Sequence, residues 1–162
     1  MPKSKFSVTY KDPAMLALLK RTEHRLLGLW ARECAERVMP HFEKSRPNDA
    51  RPRNALKTLQ AWIDTGIFRM AEIRGASLAS HAAAREVGAD NAARSAARAA
   101  GQAVATAHVP THSIGAANYA LQAVHRAAGP LRAEAAVAKE RDWQHRRLRR
   151  LRDRPGKNKR AL

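Results

Sequence analysis

The chain has 162 residues, 44% of them hydrophobic but only 5% aromatic, and carries a formal net charge of +17 from 31 Lys and Arg against 14 Asp and Glu. That length suits one domain with a core of its own, and an apolar fraction made largely of alanine favours helices packed at small-residue contacts over a sandwich of large side chains. The single cysteine, Cys34, excludes an internal disulfide and any cysteine-based zinc site, which fits a reducing compartment.

Residues 1–11 alternate Phe6, Val8 and Tyr10 with polar neighbours and are expected as a peripheral arm. Asp12-Pro13 marks a helix start, with Asp as N-cap and Pro in the first turn, and Thr22-Glu23 offers a second start. Leu26, Leu27, Trp30, Cys34, Ala35 and Val38 then share one helical face, so Trp30 and Cys34 are expected in the core. No flanking run of cations lowers the pKa of that thiol, which reads as inert. Pro40 bends or ends this helix before a loop over 44–49. Asp49 is placed to cap the next helix, Leu56, Leu59, Trp62 and Ile63 form its apolar stripe, and Gly66 stands at its left-handed end. Another helical pattern runs from Phe68 to Gly88, and Asp90 is placed to cap the one that follows.

From Gly101 to Val124 two alanine-rich helices meet through a short break. Pro110 lacks an N–H and drives Val109 out of helical geometry, so the first helix should stop near His108. Thr111 or Ser113 is available to cap the second. His108 and His112 flank the turn, and Tyr119 lies two helical turns beyond His112. Gly129-Pro130 stops that helix, and a final one reads from Leu131 to about Asp153. Its stripe runs through Leu131, Ala135 and Ala138 and loses its period after Trp143. Leu148 and Leu151 are thereby left among Arg146, Arg147, Arg149, Arg150, Arg152 and Arg154. The expected architecture is all-α: a single bundle of about five or six helices over 12–143, with a solvated basic extension over 144–162.

Residues 139–162 hold 11 of the basic residues and 3 of the acidic ones, net +8, so nearly half the excess charge sits in the last 24 positions. Such a block is suited to neutralising phosphates, and sequence-independent nucleic-acid binding is one reading of it. His108 and His112 have the i, i+4 spacing of zinc ligands on a continuous helix, but Pro110 interrupts the helix. The expectation is that each histidine hydrogen-bonds the turn, with no metal and no cofactor. Asp49, Arg51 and Arg53 form a charged helix entry, able either to pair with carboxylates between helices or to contact a ligand or protein. No glycine-rich phosphate loop, serine nucleophile elbow or framed carboxylate pair is present, so an enzyme is not expected. No apolar run reaches the roughly 18 residues of a spanning helix and no secretory h-region opens the chain, which reads as cytoplasmic.

Several motifs occur together in a fixed order. They are Trp30-Ala-x-x-Cys34-Ala-Glu-Arg-Val38-x-Pro40-x-Phe42-Glu43, Asp49-x-Arg-Pro-Arg53, Trp62, and Ala105-Thr-Ala-His108-Val followed by His112 and Gly115-Ala-Ala-x-Tyr119-Ala. In this order, over about residues 28–128, the chain resembles the immunity proteins of bacterial polymorphic toxin systems, the immunity-5-like group. The resemblance implies a small all-α cytoplasmic protein that binds and neutralises a cognate toxin domain. The polar positions it carries over are Asp49, Arg51, Arg53, His108, His112 and Tyr119. A net charge of +17 departs from the acidic surface of an inhibitor that mimics nucleic acid.

Overall fold

The computed structural model describes Phe6 and residues 12–154. Among them are eight α-helices and no strand: α1 Pro13–Lys20, α2 His24–Glu36, α3 Met39–Ser45, α4 Arg51–Thr65, α5 Met70–Val87, α6 Ala92–Ala105, α7 His112–Ala127 and α8 Ala133–Arg152. The all-α expectation holds, with more helices than the five or six expected because α1 and α3 are short, separate elements flanking α2. The expected arm over 1–11, apart from Phe6, and residues 155–162 lie outside the described residues.

Helix ends follow local chemistry at most junctions. Asp12 accepts from the amides of Ala14 and Met15 ahead of α1, and Glu23 from those of Arg25 and Leu26 ahead of α2. Pro40 falls in the first turn of α3, where a missing N–H leaves no hydrogen bond unmade. Gly66 and Gly88 end α4 and α5 at φ of 70° and 76°. Three expected caps differ. At α4 the N-cap position is Ala50, which makes no side-chain cap bond, and Asp49 stands one residue earlier and accepts from the Arg51 amide. Asn91, not Asp90, accepts from the Arg94 amide ahead of α6, while Asp90 turns to Arg126 at 3.3 Å. At α7 neither Thr111 nor Ser113 caps the helix. The amides of His112, Ser113 and Ile114 are satisfied by the carbonyls of Val109, Pro110 and Thr111, and the Ser113 hydroxyl donates to Pro110 O. A tight turn supplies the acceptors, so no side-chain cap is required.

The fold is built around α6, which touches α2, α3, α4, α5 and α7. Nine of its residues are buried, from Ala93 to Val104, and eight of these are alanine, glycine or serine, the ninth being Val104. Only the Arg94, Arg98, Gln102 stripe and its flanks reach outward, as a helix enclosed on most sides requires. Small side chains let neighbouring backbones come close. Ser77 and Ser80 of α5 donate directly to the Gly101 and Ala97 carbonyls of α6, at 2.9 and 2.7 Å. At Gly101 a Cβ would stand 2.7 Å from Nε2 of His81, so the imidazole occupies the space that a side chain would need. Larger anchors surround this alanine layer, with Trp30, Phe42, Met39, Leu56 and Leu59 fully buried and Trp62 6% exposed.

The last helix corrects the sequence reading. Leu131 is fully exposed, Ala135 and Ala138 face solvent, and the buried side is Ala133, Val137, Glu140, Gln144, Leu148 and Leu151. The half of α8 after Trp143 is therefore packed and not solvated, as far as Arg152. Two polar residues in the middle of that stripe are satisfied by other helices. Glu140 accepts two hydrogen bonds from Arg37, which follows the end of α2, at 2.6 and 3.0 Å, and Gln144 Nε2 donates to Ala117 O of α7. The Gln144 carbonyl accepts from the Trp30 indole at 2.9 Å, and Arg147 grips Glu33 with two bonds of 2.6 and 2.7 Å. The same Arg37 guanidinium lies 4.0 Å over the Trp143 ring, a cation–π contact on a half-buried aromatic.

Candidate partner-binding surface

Arginines join the helices at their polar margins. Arg53 of α4 bonds both oxygens of Glu36 on α2, at 2.7 and 2.6 Å, and also Glu43 on α3. Arg51 takes both Asp49 oxygens, at 2.9 and 2.7 Å, and reaches Glu86 near the end of α5. Asp49 also accepts the Arg51 amide, so it fixes the start of α4 twice over. These guanidinium–carboxylate contacts hold the Asp49 and Glu86 carboxyls below their ordinary range. Pairs this exposed contribute about 0–1 kcal/mol each; what the planar guanidinium adds is a defined angle between three helices. Of the two roles open to Arg51 and Arg53, the structure displays the interhelical one.

The second group stands at the other end of α5. Glu86 and Arg74 are twelve residues apart on that helix, roughly 18 Å at 1.5 Å per residue, so Asp49–Arg53 and His108 do not share a surface patch. His108 is exposed in the α6–α7 turn and stacks on Phe68, with centroids 6.1 Å apart and planes at 19°. His112 is half-buried and its Nδ1–H donates to Gln102 Oε1 at 2.8 Å. Tyr119 is half-buried against the core. The carbonyl of Thr106, freed by the end of α6, accepts from His24 Nε2 at 2.6 Å, so the histidine that serves the turn's backbone comes from α2. Among the described residues no three His, Cys, Asp or Glu side chains gather as metal ligands.

Burial, with the Arg98, Arg85 and His112 charges, lowers the pKa of His81. Burial and His108 lower that of His112, and burial and Lys44 that of His41. The unfolded chain therefore binds these protons more readily, so stability is present above about pH 6.5 and is lost as pH falls through the depressed folded values. Melting temperature should drop between pH 7 and pH 5 at constant ionic strength, and less in a His81→Gln, His112→Gln double variant. An equal drop in both proteins would assign the acid sensitivity elsewhere. Cys34 lies fully buried with its pKa raised by burial and by Glu140 and Glu33, as expected of an inert thiol.

The six C-terminal arginines do not act as one block. Arg147 is turned inward to Glu33, Arg146 pairs with Asp142 one turn back at 3.1 Å, and Arg152 lies 3.4 Å from Asp153. Arg149, Arg150 and Arg154 are exposed. What the sequence reading missed is apolar. Ile67, Phe68, Met70 and Leu78 are 60%, 43%, 43% and 58% exposed; Phe68 stacks on His108, and Met70 and Leu78 line one cleft with it. The available signal was Leu78, which falls off the buried stripe of Ile73, Ser80 and Ala84.

The molecule is thus an alanine-rich all-α bundle, clamped by arginines and carrying an exposed apolar face at one end of α5. The family described as Imm-5 like putative immunity protein matches residues 17–151, and the chain belongs to that family. The match extends beyond the 28–128 motif pattern at both ends and takes in α8 through Leu151. No curated protein and no solved structure matches the chain.

Proposed function

We propose that this is an immunity protein that binds a cognate toxin domain of a polymorphic toxin system and neutralises it by holding it in a complex, with no turnover of its own. The observation that carries this reading is the family match over 17–151, which spans nearly all of the packed frame. The charge pattern supports a protein partner with an acidic surface. Ten of the fourteen carboxylates are engaged in ion pairs with arginines within the chain, so the charge left for a partner is overwhelmingly positive. We read Asp49, Arg51 and Arg53 as framework residues and place the contact surface at the His108 end of α5. The buried, unpaired Cys34 suits action in the cytoplasm.

Titration with the toxin domain encoded beside the gene should give a 1:1 complex with a Kd of about 10⁻⁷ M or tighter and abolish the toxin's activity. Undiminished toxin activity at saturating protein would overturn the proposal. If duplex DNA bound instead, with a slope of log K on log salt of about −0.9 per phosphate contact, the exposed arginines of α8 would be the functional feature.

A further inference from the structure

An apolar cleft of about 260 Å³ opens between the first turns of α5 and the α6–α7 turn, lined by Met70, Ile73, Arg74, Ser77, Leu78, Ala105 and His108. Ile73 also lines a neighbouring cleft of about 400 Å³, which runs along α4 and includes Lys57, Ile67 and Arg69. Phe68, stacked on His108, stands at the margin of the first. Four of the five exposed large hydrophobic residues among those described fall between 67 and 78. That concentration, and not any single exposed side chain, marks an interaction surface.

The charges around it have one dominant sign. Arg69 is partly offset by Glu72 at 3.4 Å. Lys57 and Arg74 form no ion pair with the carboxylates of the described residues. Resting on the immunity reading, we infer that this face is the toxin-docking site. It takes an acidic, amphipathic segment of the toxin that seats an apolar side chain between Met70 and Leu78 and sets carboxylates against Arg74 and Lys57.

Other occupants fit less well. A second copy brings a second charge of +17 to a face already rimmed by cations. Phe6 is not at this face: it packs on His125 with centroids 5.2 Å apart. That position is thirteen residues, or roughly 20 Å, along α7 from His112. Residues 155–162 carry Lys157, Lys159 and Arg160, the same sign as the rim.

The test uses full-length chain and two probes: anilinonaphthalene sulfonate, an apolar anion, and the toxin domain encoded beside the gene. Leu78→Glu and Met70→Glu should each abolish dye enhancement and weaken toxin binding about 30-fold or more, as loss of a central anchor does, with the melting temperature unchanged. Arg74→Glu should slow association and flatten its salt dependence. If either carboxylate variant fails to fold, Leu78→Ser and Met70→Gln carry the same expectation. Loss of dye binding with toxin affinity intact would overturn this docking site and leave the immunity proposal standing. Wild-type chain that binds dye but not toxin would overturn both. A wild-type dimer in sedimentation that Leu78→Glu dissolves would show that a second copy occupies the face, and would overturn the inference.

Discussion

Deleting residues 144–162 should leave a chain without a cooperative thermal transition. The deletion removes Leu148 and Leu151, both fully buried, and Gln144, whose carbonyl accepts the Trp30 indole and whose amide serves Ala117. It also strips Glu33 of Arg147. Losing a buried leucine side chain costs about 2–5 kcal/mol, so the pair alone accounts for roughly 4–10 kcal/mol, comparable with the whole stability of about 5–15 kcal/mol expected of a domain. A circular dichroism melt of the truncated chain checks this. Cooperative melting within a few degrees of the full-length protein would mean that α8 is an appendage and that its burial contributes little.

Replacing Trp30 by alanine should destabilise the protein by about 3–5 kcal/mol, the range for a buried large aromatic. Trp30 is 1% exposed on α2, and its N–H ties α2 to the α8 backbone at the Gln144 carbonyl, so the substitution opens a cavity and removes the interhelical hydrogen bond, leaving that carbonyl only its partner within α8. For a chain of this length that corresponds to a fall in melting temperature of about 6–20 °C. An unchanged melting temperature would contradict the assignment of Trp30 as the anchor between α2 and α8.

The features legible in the sequence were those set by near neighbours in the chain. Asp12-Pro13, Gly66 and Gly88 act within a few residues, so composition alone locates the ends of α1, α4 and α5. The face of α8 was not legible, because its buried stripe passes through Glu140 and Gln144. Those residues read as solvent-facing until their partners, Arg37 at the C-cap of α2 and the Ala117 carbonyl on α7, are brought beside them by the fold. With the polar positions excluded, the apolar residues suggested the wrong side, through Leu131, Ala135 and Ala138.

The candidate site divides on the same principle. That Arg51 and Arg53 were suited to pair with carboxylates was visible, but the partners Glu36, Glu43 and Glu86 lie on three other helices and only the packing selects them. Met70 and Leu78 sat within an amphipathic pattern, where apolar residues are read as core by default. Their exposure depends on α6 turning at Thr106 and presenting His108, and nothing in residues 67–78 announces that neighbour.

We propose that this bundle neutralises a toxin through the α5 face, and growth is the most direct readout. Cells expressing the adjacent toxin domain should survive with the wild-type chain and with Arg51→Lys, whose guanidinium belongs to the frame, and should die with Leu78→Glu at equal protein level. Survival with Leu78→Glu, or death with the wild-type chain, would contradict the account.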